Sequence, residues 1–492
     1  MHLAALKEEI PVEPRTVRAP QKGALVRLLT CGSVDDGKST LIGRLLWDAA
    51  GVTEDQRAAV ALASHSRAIN GEKIDFSLLL DGLQAEREQG ITIDIAWRYF
   101  ETERRRFIII DSPGHEQYTR NMATGASHAD IAILLVDARH GAKRQTRRHA
   151  AICDLVGIKK VVLAINKMDA VGWSETRYRE IERDFRAMAG SFNFAQVMTI
   201  PVAALTGDNV VYRAASMPWY AGPTLLDYLE AVDPVAEPVD APFRFPVQLV
   251  LRASGDFRGY AGTVASGRIK VGDRIVDARS GLGATLRRIS TMDGDLPSAG
   301  KGDAVTLVLD TDLDISRGAV LSEVSRRPVN ADVIEARLVW LSETPFDPEA
   351  GYLLRTATDL TPVTSMSVSA LVDFETLAST PAHACRMNDI ADCRILLGRA
   401  TALDLFRGLP ETGNFVLVNA IDGATVAGGV ITWAQAGAPA VGDNVLVLNR
   451  ALLARVCADL GDSPADEAEF NRRAQEVALL LRSAGVPVLV EL

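Results

Sequence analysis

Long hydrophobic runs are absent from this sequence of 492 residues. A membrane-spanning helix needs roughly 18 or more apolar residues in succession, whereas the longest runs here, such as residues 131–136, are short. Residues 1–23 mix both charges and contain prolines, unlike a signal or transit peptide. We therefore expect a flexible leader over residues 1–23 and a cytoplasmic protein.

Cysteine is scarce, and an excess of basic charge is missing. No CxxC pair occurs, which argues against a zinc site or a disulfide framework and favours ordinary buried thiols. The net charge of −10 argues against a protein that mainly grips nucleic acid through phosphates, although a basic patch can lie within an acidic total. The cysteines are Cys31, Cys153, Cys385, Cys393 and Cys457.

Strand-like apolar runs alternate with helical patterns between residues 24 and 233. The predicted strands are LVRLLTCG, FIIID, IAILLVDA, VVLAINK and VMTIPVAA. Strands separated by helical segments predict βαβ units and a mostly parallel sheet. The proline-rich segment AVDPVAEPVDAP then predicts a linker, so the first domain is predicted at residues 24–235.

The strongest chemical signal is GSVDDGKST, which follows a predicted strand and precedes an apolar-periodic helix. This context fits the phosphate-binding loop GxxxxGK[ST], whose glycines let backbone N–H groups point at phosphate oxygens. Lys38 is placed to reach the β- and γ-phosphates, and the Ser39 hydroxyl can ligate Mg²⁺. The predicted nucleotide-binding residues here are Gly32, Ser33, Val34, Asp35, Asp36, Gly37, Lys38, Ser39 and Thr40.

The segment DSPGH, residues 111–115, directly follows the predicted strand FIII. Asp111 is placed to hold Mg²⁺ through water, and the Gly114 N–H can contact a γ-phosphate. A lone histidine is more often structural, but His115 immediately after DxPG is a candidate for orienting the attacking water. The segment therefore predicts a γ-phosphate sensor.

The segment EREQGITID supplies Thr92, whose hydroxyl and carbonyl can complete the shell around Mg²⁺ and the γ-phosphate when a triphosphate is bound. Taken alone, Thr92 is equally well explained as a β-former opening the strand TIDIAWRYF. The set of motifs favours the functional role. We predict catalytic roles for Lys38, Thr92 and His115, and Mg²⁺ ligation by Ser39, Thr92 and Asp111.

Guanine specificity is predicted by NKMD, residues 166–169. The Asp169 carboxylate, which we expect to be buried, can accept two guanine N–H groups that adenine does not offer. Asn166 should join this segment to the phosphate-binding loop, and a later backbone N–H, first of all that of Ala204, should donate to the guanine carbonyl. The predicted guanine-binding residues are Asn166, Lys167, Asp169, Ala203, Ala204 and Leu205.

Short alternating strands and glycine-rich turns follow the linker. They predict an antiparallel barrel or sandwich. A second β-rich block follows, and then a helical pattern in EAEFNRRAQEVALLLRSAG. The predicted domains after the first one are residues 241–329, residues 331–434 and a tail at residues 437–492.

These motifs, in this order, resemble those of the elongation-factor class of GTPases. DxPGH with RExGITI is characteristic of that class, and GYAGTVASGRIKVGDRI is similar to its second domain. The resemblance implies an α/β P-loop GTPase domain with a mostly parallel sheet. Two antiparallel β-barrel domains would follow it, and then a short α/β tail.

Within that class, the wording is similar to the large GTP-binding subunit of bacterial sulfate adenylyltransferase. The phosphate-binding loop reads GSVDDGKSTLIGRLL, where translation factors usually read GHVDHGK, and INKMDAVGW and DSPGHEQYTRNMATGAS agree with it. The resemblance implies GTP and Mg²⁺ as cofactors and a small ATP-binding partner subunit, in a heterodimer or a larger hetero-oligomer. The partner would make adenosine 5′-phosphosulfate and pyrophosphate from ATP and sulfate, driven by GTP hydrolysis in this chain. Ala203 replaces the usual serine of the last guanine motif, with little expected loss of binding.

The tail resembles the middle of an adenylylsulfate kinase, to which the large subunit is fused in some relatives. The matches are Asp443, Asn444, Asp466, Arg472 and Arg473, and the departures are Glu467 and Phe470. Because no second GxxxxGK[ST] precedes the tail, we expect a remnant without kinase activity. An unrelated helical appendage would lead to the same expectation.

Two other functions stay open on the sequence. One is an elongation-factor-like translational GTPase, which the GSVDDGK wording, the acidic net charge and the kinase-like tail disfavour. The other is a GTP-dependent binding switch without an adenylyltransferase partner. The sequence disfavours this second function less firmly, because coupling to a partner leaves no local motif.

Overall fold

The computed structural model describes residues 23–49, 60, 74, 76–79, 92, 94–233, 240–254, 257–435, 446–449, 469, 471–478 and 488–491. The chain divides into two compact units, Met1–Gln435 and Ala436–Leu492. Most of the predicted leader, the middle of the linker and most of EREQGITID lie outside the described residues. The same is true of tail positions 443, 444, 466, 467 and 470.

A six-stranded sheet forms the centre of the first domain. Its strands are β1 (Gly23–Gly32), β2 (Ala96–Glu101), β3 (Arg105–Asp111), β4 (Ile131–Asp137), β5 (Lys160–Asn166) and β6 (Gln196–Pro201). They lie in the order β2-β3-β1-β4-β5-β6; β2 is antiparallel to β3, and the other neighbours pair in parallel. The predicted mostly parallel sheet is confirmed.

Helices and short 3-10 turns connect these strands. The helices are α1 (Lys38–Ala49), α2 (Thr119–Ala126), α3 (Arg144–Leu155), α4 (Glu175–Ala189) and α5 (Leu225–Ala231). The 3-10 helices are Phe76–Leu79, Glu116–Tyr118 and Met168–Val171. Every residue of β4 is buried, as expected for a parallel strand covered on both faces. The carboxyl ends of β1, β3 and β5 share one sheet edge, where ligands bind in open α/β sheets.

The strand predicted to open at Thr92 begins later, at Ala96. Just before it, the Asp94 carboxylate accepts the N–H of Ile95 at 2.7 Å and the amide of Asn121 at 3.3 Å. A short polar side chain that hydrogen-bonds nearby backbone competes with a strand ladder. A bend at Asp94 therefore lies where the strand was expected.

The second domain is a closed antiparallel barrel. Its strands are β7 (Arg244–Ser254), β8 (Phe257–Thr263), β9 (Arg268–Lys270), β10 (Arg274–Asp277), β11 (Gly283–Thr291), β12 (Gly294–Leu296), β13 (Ser298–Gly300), β14 (Ala304–Leu309) and β15 (Val320–Glu323). The order β10-β15-β7-β8-β14-β11 closes on itself through pairing of β10 with β11. Closure removes free sheet edges and decides between the barrel and the sandwich that the sequence left open.

The third domain closes in the same way. Its strands are β16 (Val329–Trp340), β17 (Tyr352–Arg355), β18 (Leu360–Val372), β19 (Ser379–Pro381), β20 (Ile390–Leu403), β21 (Asn414–Asn419) and β22 (Thr425–Gln435). The order β17-β21-β22-β16-β20-β18 is closed by pairing of β17 with β18. The two predicted β-barrels are thus confirmed.

The third domain packs directly against the first. One hydrophobic cluster contains the core of the first domain together with Val339, Phe374, Ile390 and Val430 of the third domain. At the same interface a Cβ added to Gly157 would lie 2.9 Å from the Phe406 ring. Because protein interiors are close-packed, a shift of one domain would disturb the packing of the other.

The second unit contains strands β23 (Leu446–Asn449) and β24 (Val488–Glu491), which pair in parallel, and helical residues 471–478. This agrees with the predicted α/β tail. Across the described ranges, no helix has the length and apolar character needed to cross a membrane. Cys31, Cys153, Cys385 and Cys393 are buried free thiols, as predicted, and position 457 lies outside the described residues.

Candidate functional site

The segment between β1 and α1 forms a tight loop at the sheet edge. Two of its residues have left-handed backbone, Asp35 with φ 66° and Gly37 with φ 91°. A Cβ on Gly37 would overlap the Asn166 amide, and one on Gly32 would lie 2.9 Å from the Leu135 carbonyl oxygen. The close approach of backbone to its neighbours therefore requires glycine at both positions.

Lys38 lies buried in this loop and closes it on itself. Its Nζ donates to the carbonyl oxygens of Gly32 at 2.9 Å and Ser33 at 3.2 Å. Burial lowers the pKa of Lys38, and the nearby carboxylates of Asp111 and Asp36 oppose that shift. An ammonium has three N–H donors, so with two of them on these carbonyls Lys38 keeps one for a phosphate oxygen.

Asp36 places a carboxylate inside the same loop. Its Oδ2 accepts the N–H of Ser33 at 2.7 Å, and its Oδ1 lies 3.5 Å from the Lys143 ammonium. Burial raises the pKa of Asp36, although Lys143 and Lys38 oppose the rise. The remaining predicted loop residues are more accessible: Val34 and Asp35 are exposed, and Ser39 and Thr40 are half-buried.

The DSPGH segment meets the loop through its glycine. Asp111 is buried at the end of β3, where it accepts the Thr30 hydroxyl at 3.2 Å. A Cβ on Gly114 would overlap the Lys38 ammonium and would lie 2.6 Å from the Gly32 carbonyl oxygen. Gly114 therefore packs against the phosphate-binding loop, and its predicted role as a γ-phosphate sensor stays a prediction.

His115 points its ring into its own turn. The side chain is exposed, and its Nδ1 accepts the Gln117 N–H at 3.3 Å, capping the 3-10 helix Glu116–Tyr118. A catalytic role in orienting water requires the ring to leave this cap. Because the side chain is exposed, the ring has room to turn out of the cap.

Asn166 joins the phosphate-binding loop to the last guanine segment. Its Nδ2 donates to the Asp36 carbonyl oxygen at 2.9 Å, and its Oδ1 accepts the Ala204 N–H at 2.9 Å. Both hydrogen bonds are buried, so neither partner can turn to water when the bond is lost. One amide thereby holds together two segments that are far apart in sequence.

The same contact corrects one prediction. The Ala204 N–H is donated to Asn166, so it is not free for a guanine carbonyl, and Ala203 donates its own N–H to Asp208 at 3.2 Å. The next N–H, that of Leu205, has no hydrogen-bond partner within the described residues. Leu205 is therefore the better candidate for contacting the guanine carbonyl.

Asp169 is exposed, whereas we expected it to be buried. The 3-10 helix Met168–Val171 buries Met168 and thereby turns the following residue outward. The discrimination argument from a buried, unpaired carboxylate then applies only once the base itself covers Asp169.

Three charged residues at the site, Asp137, Arg139 and Lys143, were not predicted. Asp137 ends β4, and it accepts Arg139 at 2.6 Å and Lys167 at 3.1 Å. Burial raises the pKa of Asp137, but hydrogen bonds from Arg139 and Lys167 outweigh it and leave the pKa lowered. This charged group orients Lys167, which also contacts the Asp35 carbonyl oxygen. Asp137 could have been predicted, because it is an acidic residue at the carboxyl end of a buried strand. No comparable feature of the sequence indicates Lys143.

The predicted Mg²⁺ ligands are chemically suited to that cation. Ser39 is half-buried in the first turn of α1, and the Asp111 carboxylate is near enough to Lys38 to affect its pKa. Thr92 is a half-buried position, described without its flanking residues. Hydroxyl and carboxylate oxygens are the donors that Mg²⁺ prefers, with water and phosphate oxygens completing its shell.

Comparison with known proteins places the chain in a family. Residues 24–238 match the family model "Elongation factor Tu GTP binding domain", and residues 333–432 match "GTP-eEF1A C-terminal domain-like". The chain is 47% identical over 410 residues to "Sulfate adenylyltransferase subunit 1" of Colwellia psychrerythraea, covering 83% of this chain and 88% of that protein. The chain belongs to the sulfate adenylyltransferase subunit 1 family.

Two further relatives extend this family comparison. "Sulfate adenylyltransferase subunit 1" of Teredinibacter turnerae is 47% identical over 420 residues, covering 85% of this chain and 90% of that protein. "Bifunctional enzyme NodQ" of Rhizobium sp. (strain BR816) is 44% identical over 515 residues, covering 95% of this chain and 81% of that protein. A match to 95% of the chain must include residues beyond Gln435, so the tail shares in the similarity to NodQ.

Proposed function

We propose that this chain binds and hydrolyses GTP as the regulatory subunit of a sulfate adenylyltransferase. Hydrolysis drives formation of adenosine 5′-phosphosulfate and pyrophosphate from ATP and sulfate in a small ATP-binding partner subunit. The observation that carries the nucleotide assignment is the Asn166 bridge, since one buried amide links the phosphate-binding loop to the guanine segment. The relatives named sulfate adenylyltransferase subunit 1 support the partner.

The base is recognised at the edge formed by β5 and β6. The Asp169 carboxylate accepts two N–H groups of guanine, and the Leu205 N–H donates to the guanine carbonyl. The Lys167 stem, oriented by Asp137, lies along the ring. Adenine presents neither pattern, so it would leave these groups unpaired in a contact that excludes water.

The phosphates are bound by the loop at the start of α1. Lys38 keeps its carbonyl contacts to Gly32 and Ser33 and donates its third N–H to a phosphate oxygen, and the N–H groups at the helix N-terminus face the same charge. The Gly114 backbone lies against Lys38, so it is close to the same phosphate. His115 leaves its cap on Gln117 and orients water for attack on the γ-phosphate.

Ser39, Thr92 and Asp111 would hold Mg²⁺, which neutralises charge on the phosphates when bound. The proposed domains are residues 24–235, 241–329 and 331–434, after a leader at residues 1–23. Residues 437–492 are proposed to be a kinase-like remnant without kinase activity, because no second GxxxxGK[ST] precedes them. The relatives' names do not favour a translational role.

The deciding experiment measures adenosine 5′-phosphosulfate formed from ATP and sulfate by this chain together with the small subunit, with and without GTP. We expect strong stimulation by GTP that is lost in Asp169→Asn. Xanthosine triphosphate should restore it, because an asparagine amide complements the C2 carbonyl of xanthine as aspartate complements the guanine amine. GTP hydrolysis without extra product would leave the nucleotide site standing and refute the proposed partner reaction.

A further inference from the structure

The turn that carries His115 is held by two residues outside the nucleotide motifs. Both contact Glu116, the residue that follows His115. The Arg148 Nη1 lies 2.7 Å from the Glu116 Oε1, and the Asn388 Nδ2 donates to the Glu116 carbonyl oxygen at 3.0 Å. Side chain and backbone of one residue are therefore fixed at the same time.

Arg148 lies on α3 of the first domain but packs against the third domain. Its side chain is 5% exposed, and its guanidinium lies over the Phe374 ring at 4.8 Å from the ring centre. Gln145 accepts a further hydrogen bond from the same Nη1 at 3.1 Å. A guanidinium held by stacking and by directed hydrogen bonds has little freedom, so the position of Glu116 depends on that of Phe374.

Asn388 belongs to the third domain, in the segment that precedes β20. It is buried, and its φ of 74° lies in the left-handed region. Glycine is the residue best suited to that backbone, and asparagine is among the few side chains that tolerate it. Here the side-chain amide of Asn388 donates to the carbonyl oxygen of Glu116 in the first domain.

Three consecutive residues thus connect the phosphate-binding loop to the third domain. Gly114 packs on Lys38, His115 follows, and Glu116 is held by Arg148 and Asn388. Only two peptide units separate Gly114 from Glu116, so few dihedral angles lie between them to absorb a displacement of Gly114. A γ-phosphate bound beside Lys38 and Gly114 would therefore act on the contacts of Glu116 through a very short segment.

We propose that Arg148 and Asn388 are positioning residues through which the third domain senses the nucleotide state at the His115 turn. The inference rests on the proposed function, because the third domain would pass that state toward the adenylyltransferase partner. Neither residue belongs to the guanine or phosphate motifs. Their effect is on turnover and coupling, not on nucleotide binding.

The test uses the full chain in complex with the small subunit and measures GTP hydrolysis and adenosine 5′-phosphosulfate formation in one reaction. Glu116→Gln and Arg148→Met should lower product per GTP hydrolysed at least fivefold, with KM for GTP changed less than twofold. Arg148→Lys keeps the charge and should recover part of the ratio. A merely structural role for the ion pair would not produce this split between coupling and KM.

A glycine variant guards against misfolding, and a second ion pair supplies the control. Asn388→Gly suits the local backbone and removes the hydrogen bond to Glu116, so it should fold and lower product per GTP about threefold. Arg144 pairs with Glu375 at 3.8 Å between the same helix and the same barrel, with both side chains exposed. Arg144→Gln should leave the ratio within twofold of wild type.

The outcomes separate this inference from the proposed function. If wild type gives no GTP-stimulated product, the proposed function fails. The positioning role is then judged on GTP hydrolysis alone, where Asn388→Gly should lower kcat at least threefold without changing KM. If Glu116→Gln and Asn388→Gly both keep wild-type kcat and wild-type product per GTP, the inference is overturned.

Discussion

Replacing Asn166 by alanine tests the contact on which the nucleotide site depends. The substitution removes two buried hydrogen bonds at once, to the Asp36 carbonyl and from the Ala204 N–H. Both backbone groups belong to buried residues, since Asp36 is 1% exposed and Ala204 is 2% exposed.

A buried donor or acceptor left unpaired costs about 1–3 kcal/mol, so two such groups cost about 2–6 kcal/mol. Without this amide the two segments separate in the free protein, and nucleotide binding has to bring them together again at that cost. Because roughly 1.4 kcal/mol corresponds to a factor of ten, nucleotide affinity should fall by about 30-fold or more. Asn166→Asp keeps an acceptor for the Ala204 N–H and loses the donor to Asp36. It also adds a buried charge, so we expect a defect of similar size despite the retained acceptor.

Titration with fluorescent GDP measures the affinity, and urea unfolding separates lost affinity from lost stability. The matched control is Asn193→Ala, which removes a surface amide that donates to Asp154 at 3.2 Å in the same domain. The control should bind GDP within twofold of wild type. An Asn166→Ala protein with GDP affinity and unfolding midpoint both unchanged would refute the view that this amide holds the site together.

Three further predictions address the loop, the turn and a buried base. Gly37→Ala should weaken GDP binding at least about 100-fold, because its Cβ would overlap Asn166; Gly272→Ala, at φ 95° with open space around it, is the control for backbone strain alone. His115→Ala should keep GTP binding within twofold and lower kcat about 100-fold or more in a phosphate-release assay; unchanged turnover would contradict the role in orienting water. Burial, with help from neighbouring cations, lowers the pKa of His149 to about 3 from 6.5. The His149 imidazole therefore stays neutral in the folded protein, whereas in the unfolded chain it gains a proton below pH 6.5. Its contribution to the free energy of unfolding is present above pH 6.5 and falls by about 1.4 kcal/mol per pH unit below it. Urea midpoints at pH 7.5 and 5.5 should therefore differ less in His149→Phe than in wild type.

Local patterns were sufficient for most of the first domain. A continuous apolar run such as IAILLVD is typical of a strand that is buried on both faces, so it predicts a parallel strand. The corresponding strand, β4, is buried throughout. The glycine at position 37 precedes the start of α1, as the motif requires. Where a side chain competed with the backbone, as at Asp94, the predicted strand began too early.

The sequence predicted the residues of the candidate site better than it predicted the contacts between them. Sequence motifs named Asn166 and Ala204 together, but only their proximity in space showed that each satisfies the other. Asp137 and Lys143 were missed because their partners come from distant segments of the chain. Exposure of Asp169 depends on how one 3-10 turn packs, which no motif specifies.

The sequence by itself determined the chemistry available to this protein: a phosphate-binding loop, a guanine segment and the residues that can serve hydrolysis. These depend on residue type and short spacing, which hydrogen-bonding capacity and backbone freedom dictate locally. Tertiary structure alone decided that Glu116, next to His115, meets Arg148 and Asn388. Asn388 is 272 positions away in the chain, and contacts of such separation arise only when two domains pack on each other.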